Sequence, residues 1–260
     1  MPPFMPRHPD VAALTAHEAG RQNATLTLIA SENYASTAVL DAAGSALTNK
    51  YANGYPGFRD YPGCEVCDAI EDLARERLCH LFGADRANVQ PYSGSVANLA
   101  VYCAVLNPGD RILSMRMEDG GHHTHGSPDH LSGRLYSAER YGVDPATGLL
   151  DYAEIAAAAR REKPDLLICG ASFYPRRIDF RAFAEIAEDT GARCLADIAH
   201  LAGLIAGGQH PSPVGAVPLI TTTTHKTLRG PRGGGRGMIR PAVSVWAPPQ
   251  PPPGVWGRRR

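Results

Sequence analysis

Four short runs, "DRILSM" (110–115), "DLLICG" (165–170), "RCLADIA" (193–199) and "PLITTTT" (218–224), are apolar or β-branched over nearly their whole length. That pattern predicts strands buried on both faces. Between them, "DYAEIAAAARREK" (151–163) and "DFRAFAEIAEDTG" (179–191) change to helical spacing, the second with Asp179 placed to cap its start and Gly191 just past its end. Upstream, "CEVCDAIEDLARERLCHLFGA" (64–84) sets Val66, Ile70, Leu73, Leu78 and Leu81 at helical intervals, and Gly83 stops the run. "ANVQPYSGSVANLAVYCAVLNPGD" (87–110) reads as a short strand, a Ser-Gly-Ser turn and an Ala/Leu-rich helix closed by Asn-Pro-Gly, and "SENYASTAVLDAAGSALTNK" (31–50) as a helix-rich stretch. The alternation predicts an α/β fold: a mainly parallel sheet with helices on both faces. No internal repeat is visible.

From Gly235 onward the pattern ends. Six prolines (241, 248, 249, 251, 252 and 253) fall in 26 residues without periodicity, so this segment is expected to be an extended, poorly ordered tail. The expected organisation is an N-terminal arm (1–30), a large domain (31–234) and a Pro/Arg-rich tail (235–260).

Composition narrows the partners. The 26 basic and 26 acidic side chains cancel, which removes the electrostatic footprint of a nucleic-acid or anionic-membrane binder. Small molecules fit better. The N-terminus has no signal-peptide pattern, and no apolar run approaches membrane-spanning length. Cys64 and Cys67 form the one C-x-x-C pair, with no second pair to complete a zinc site, so the cysteines read as reduced thiols of a cytoplasmic protein.

The polar residues at the strand ends form one constellation. Lys226 follows the threonine run where a strand gives way to a loop; desolvation there would lower its pKa and make it a Schiff-base candidate, whereas alone it would be an ordinary surface lysine. Asp197 ends an apolar strand, where a carboxylate needs a cationic partner such as a protonated pyridine nitrogen. "YSGS" (92–95), between strand and helix, can offer backbone N–H groups and two hydroxyls to a phosphate, or merely cap the helix. His122, His123 and His125 in "DGGHHTHGS" admit metal binding, but no carboxylate or cysteine at fitting spacing completes the set, and stacking of an imidazole on a planar cofactor is the competing role.

Seven ordered motifs, "LTLIASENYAS", "LTNKYANGYPGFRDYPGCE", "ANVQPYSGSVAN", "GGHHTHGSP", "YGVDPATGLLDY", "ADIAHLAGLIAGG" and "TTTTHKTLRGPRGG", together resemble serine hydroxymethyltransferase, a pyridoxal-phosphate enzyme of the aspartate-aminotransferase fold (fold type I). The resemblance runs from about residue 20 to about 234. It implies that Lys226 binds the cofactor covalently, Asp197 pairs with the pyridine nitrogen and His122 stacks on the ring. Ser93, Gly94 and Ser95 would hold the phosphate with support from His225, and Ser172 and His200 would contact the phenolic oxygen. Ser31 would hold the amino-acid carboxylate, Thr223 would lie near the reacting groups, and Tyr51 and Tyr61 would reach a neighbouring subunit's site in a homodimer or tetramer. The implied reaction interconverts serine and glycine with tetrahydrofolate as one-carbon carrier.

Two departures qualify that expectation. Asn53 stands where the family's motif has a glutamate, and asparagine cannot transfer a proton at neutral pH. That weakens the tetrahydrofolate expectation and points to a folate-independent threonine aldolase or transaldolase as the alternative. After "GPRGG" the family's next apolar strand and its C-terminal domain, with the arginine that clamps the substrate carboxylate, are not recognisable. The sequence is therefore expected to represent a truncated or frameshifted chain, and an inactive remnant is the third reading.

Overall fold

The computed structural model describes residues 8–238. Helix α1 (Pro9–Ala24) comes first, then α2 (Thr37–Ala43), a two-residue hairpin of β1 (Gly54–Tyr55) and β2 (Phe58–Arg59), and the long α3 (Glu65–Phe82). The sheet domain follows as β3 (Arg86–Asn88), α4 (Gly94–Val105), β4 (Arg111–Met115), α5 (Leu131–Leu135), β5 (Ser137–Tyr141), α6 (Tyr152–Glu162) and β6 (Leu166–Cys169). It closes with α7 (Phe180–Thr190), β7 (Arg193–Asp197), α8 (Ala202–Ala206), β8 (Leu219–Thr223) and β9 (Gly234–Met238).

The seven-stranded sheet has the order β3-β9-β8-β7-β6-β4-β5, and each ladder is parallel except the two made by β9. Period-2 alternation divides its side chains between two cores. Ile112, Leu166, Ile168, Leu195 and Leu219 pack with Val101, Tyr102 and Val105 of α4 on one face. Leu113, Leu167, Cys169, Cys194, Ala196 and Ile220 pack with Ile155 of α6 and with Phe180, Phe183 and Ile186 of α7 on the other. Sequence reading therefore finds both helix layers. The α7 boundaries also match: the Asp179 carboxylate accepts from the N–H groups of Arg181 (3.0 Å) and Ala182 (3.2 Å), and Gly191 adopts a left-handed φ of 71°.

Three features differ from the sequence reading. First, residues 9–24 of the expected arm form α1, whose polar, weakly amphipathic sequence buries no side chain. Second, the edge strand β5 (Ser-Ala-Glu-Arg-Tyr) carries no apolar run, because an edge strand buries little of its own surface. Third, the expected tail boundary at 235 is wrong. Gly234–Met238 inserts as β9 between β3 and β8, so a strand does follow the "GPRGG" turn. Its glycines hide it from propensity, and close packing explains them: a Cβ on Gly234 would lie 2.4 Å from the Ser93 carbonyl oxygen, and one on Gly235 would lie 3.0 Å from Leu78 Cδ2. The expectation of an extended tail over 239–260 falls outside the described residues.

Gly234→Ala, which must push the Ser93 backbone, is expected to cost about 1–3 kcal/mol of stability. Gly20→Ala, with open space around it in α1, should be neutral or stabilising. Urea unfolding of the two variants beside the parent checks the contrast; equal stabilities would mean that β9 does not press on the 93–94 turn.

Candidate active site

The carboxyl ends of the parallel strands converge on one cavity of about 310 Å³, near the lower bound of roughly 300 Å³ usual for small-molecule sites. Strand β7 delivers Asp197, β8 delivers Thr223 and, three residues on, Lys226, and the segment after β6 delivers Ser172. After β4 the chain doubles back through Gly120 and Gly121, where a Cβ on Gly121 would lie 2.3 Å from the Met115 carbonyl oxygen, and so brings in His122 and His125. Ser93, Gly94 and Ser95 stand at the N-terminus of α4, and Ser31, His200 and His225 complete the expected residues on the wall. Tyr51 and Tyr61 do not line it. They are 73% and 45% exposed, packed edge-to-face on each other with ring centroids 6.1 Å apart. Asn53 is likewise exposed and outside the cavity.

Asp197 is 9% exposed, and its environment replaces the lost water. Asn98 Nδ2 donates to Oδ2 at 2.9 Å, His125 Nε2 lies 3.0 Å from the same oxygen, and the Ala199 N–H donates to Oδ1 at 3.0 Å. Burial alone would raise the carboxyl's pKa; the His125 hydrogen bond and charge, with Asn98 and the Ala199 N–H, overcome it and hold the group far below the usual carboxylate range. His125 is 2% exposed and its Nδ1 has no partner, so a proton placed there would be an orphaned donor. The proton belongs on Nε2, facing Asp197.

Lys226 is 9% exposed, and burial lowers its pKa against the opposing pull of Asp197. Burial, then the neighbouring His125, lowers His122 to about 4; burial, then the Lys226 charge, lowers His200 to about 4. Both imidazoles are therefore neutral near pH 7. At His122, Nδ1 lies 2.7 Å from Thr124 Oγ1, whose oxygen in turn accepts from Asn98 at 2.9 Å. The helix-entry turn is tight: Ser93 Oγ accepts from the Val96 N–H at 3.2 Å, and a Cβ on Gly94 would lie 2.8 Å from Thr223 Cγ2.

These groups suit a flat, phosphate-bearing pyridine. A helix N-terminus with hydroxyls can take the anion, a buried ionised carboxylate can take a protonated ring nitrogen, a neutral imidazole can stack, and a desolvated amine can attack a carbonyl. Among the described residues no group of three His, Cys, Asp or Glu side chains assembles as a metal site, and all six cysteines are free. The sequence reading missed His125 as the Asp197 partner, and it missed Asn98, which receives a 2.7 Å hydrogen bond from Thr221 as well as bonding Asp197. His125 was available as one of three clustered histidines; Asn98 carried no signal, being a single polar residue on an Ala/Leu-rich helix.

Fold and site together define a fold type I α/β protein with its lysine and aspartate at adjacent strand ends. The serine hydroxymethyltransferase family profile matches residues 5–244, and the chain belongs to that family. The match extends ten residues beyond the point where the sequence resemblance was expected to end. The chain is 61% identical over 226 residues to a serine hydroxymethyltransferase of Methanospirillum hungatei, a stretch that covers 87% of this chain and 55% of that protein. It thus spans about half the length of the curated relative.

Because His122 and His200 bind protons less readily folded than unfolded, the unfolded chain takes up protons first as the solution is acidified. Stability is expected to be fully present above about pH 6.5, the ordinary histidine value, and to fall as pH drops toward about 4. The slope of Tm between pH 6.5 and 4 should be shallower in His122→Asn than in the parent; equal slopes would refute the assignment.

Proposed function

We propose that the chain is the cofactor-binding part of a pyridoxal-phosphate enzyme that interconverts serine and glycine, with tetrahydrofolate as the one-carbon carrier. The observation that carries this reading is the combination, in one cavity, of a desolvated Lys226 with a carboxylate kept ionised at Asp197. When bound, pyridoxal phosphate supplies a carbonyl for amines to join and a ring that absorbs the electron pair left on the substrate's Cα.

The chain's residues supply the rest. Lys226, with its pKa lowered, keeps more of its amine in the nucleophilic form than an exposed lysine does, and it can take up or release a proton at Nζ. Asp197 would hold the proton on a ring nitrogen and so maintain the ring's electron demand. The Gly94 and Ser95 backbone N–H groups and the Ser95 hydroxyl take the phosphate, while Ser93 caps the helix that aims them. His225 braces the loop beneath, with Nδ1 3.2 Å from the Gly233 carbonyl oxygen. His122 would cover one ring face, Ser172 and His200 would contact the phenolic oxygen, Thr223 would lie near the reacting groups, and Ser31 would hold the substrate carboxylate.

A homodimer is the natural frame. Helices α1, α2 and α3 bury no residue, and Val66, Ile70, Leu73 and Leu81 of α3 are 45–64% exposed. A second copy would cover this face and receive Tyr51 and Tyr61. Among the described residues no helix is long and apolar enough to cross a membrane, and a cytoplasmic enzyme fits six free thiols.

Mixing the full chain with pyridoxal phosphate is expected to give a visible absorption band that persists after gel filtration and is lost in Lys226→Ala; no lysine-dependent band would overturn the reading. Asn53 favours one second reading, folate-independent cleavage of threonine with transfer to another aldehyde. Formaldehyde-equivalent transfer from serine to tetrahydrofolate supports the first reading, and glycine release from threonine without folate supports the second. Sedimentation velocity of the cofactor-loaded chain should show a dimer; a monomer would remove the shared-site role of the tyrosines.

A further inference from the structure

Arg140 is a half-buried cation that forms no ion pair among the described residues. Its guanidinium points at neutral acceptors only: Ser114 Oγ, the His125 carbonyl oxygen at 2.6 Å, and the Gly126 carbonyl oxygen. Burial disfavours its charge, so an arginine here is costly unless its fixed fork of donors does something a neutral residue cannot.

The sheet register explains the convergence. Ser114 of β4 and Arg140 of β5 are direct partners in the parallel ladder, and Ser114 Oγ also donates to the His125 carbonyl, at 2.7 Å. One carbonyl thus accepts from two strands. Gly126, at φ 98°, presses on the same strand: a Cβ there would lie 2.5 Å from Ala138 Cβ. At its inner end the turn is held by the Tyr102 hydroxyl, which donates to the Thr124 carbonyl at 2.9 Å, and by Asn98 on Thr124 Oγ1. His125 sits between these anchors, with its Nε2 toward Asp197. Neither Arg140 nor Ser114 lines the cavity.

We propose that Arg140 is a positioning residue: by clamping the His125 and Gly126 carbonyls to the edge of the sheet it fixes the His125 imidazole against Asp197. It thereby sets how the carboxylate is held for whatever occupies the cavity. The clamp itself is independent of any ligand. Its consequence for cofactor affinity rests on the reading of Asp197 as the partner of a ring nitrogen.

Two measurements on the full chain test this. The first needs no cofactor. In the proton NMR spectrum, the His125 Nε2 proton bonded to a carboxylate should give a separate downfield signal, assigned by its loss in His125→Gln. Arg140→Met is expected to shift or broaden that signal, and Arg140→Lys, which keeps the charge but cannot span two carbonyls, to retain it with faster exchange. An unchanged signal in Arg140→Met overturns the proposal; should that variant not fold, an unchanged signal in Arg140→Lys does so. The second compares pyridoxal phosphate with its analogue carrying carbon in place of the ring nitrogen. Arg140→Lys is expected to weaken pyridoxal phosphate about tenfold, the worth of one good hydrogen bond, and to leave the analogue unchanged. Equal weakening of both would make Arg140 merely structural. If the parent chain bound neither, the proposed function would fail while the NMR comparison still judged the clamp.

Discussion

A carboxylate nine-tenths removed from water has to be solvated by protein, and the architecture around Asp197 follows from that requirement. Three donors do it, each delivered by a different part of the chain: the Ala199 N–H just past β7, the Asn98 amide from the second turn of α4, and the His125 imidazole from the turn after β4. Asn98 in turn needs its carbonyl satisfied, and Thr221 in β8 supplies that donor. Both hydrogens of the Asn98 amide are spent, one on Asp197 and one on Thr124, so its orientation is fixed by the network. One charge therefore sets the positions of β7, β8, α4 and the 122–126 turn relative to each other.

The same charge organises the electrostatics of the cavity. Lys226, His122 and His200 are each pushed by burial toward their neutral forms, and the Lys226 charge further discourages protonation of both imidazoles. Asp197 moves the opposite way, because its hydrogen bonds outweigh the burial that opposes its charge. The two imidazoles are then neutral near pH 7 beside the Asp197 anion, and the other charged residues on the lining, Glu32 and Arg232, are exposed. A cationic ring nitrogen is rewarded there, and an amine can be unprotonated without distant help. Had Asp197 been satisfied by an arginine instead, its charge would be spent inside the protein. His125, donating through Nε2, orders the carboxylate through a single hydrogen bond rather than the paired donors of a guanidinium.

How far this was legible depends on where each signal resides. Strands β4, β6, β7 and β8 are buried on both faces and advertise themselves as apolar runs. Lys226 and Asp197 stand out because a charged residue at the end of such a run breaks the pattern. Asn98 does not, since its role comes from a hydrogen-bond network assembled across 123 positions of chain separating it from Thr221. Strand β9 is legible only in three dimensions: Gly234 and Gly235 are poor strand formers by themselves, and they are required by the closeness of Ser93 and Leu78. The apolar spacing of α3 correctly announces a helix, but the inference from spacing to burial fails for Val66, Ile70, Leu73 and Leu81, which no surface among the described residues covers.

The uncovered region is nevertheless stiffly built. Arg59 in β2, its side chain 6% exposed, makes ion pairs of 2.7 Å with both Asp68 and Glu71 of α3 and donates to the Ala52 and Gly54 carbonyls. Gln90 ties Glu71 and the Gly54 carbonyl to the strand that leads into the Ser93 turn. Such desolvated charges contribute little net stability compared with apolar packing, and their gain is in fixing geometry. Here they hold the hairpin, and with it the loop bearing Tyr51, Asn53 and Tyr61, at a set distance from the α4 N-terminus. These side chains do not line the cavity that holds Asp197 and Lys226. A loop held this firmly and aimed outward is the arrangement that the proposed shared site requires.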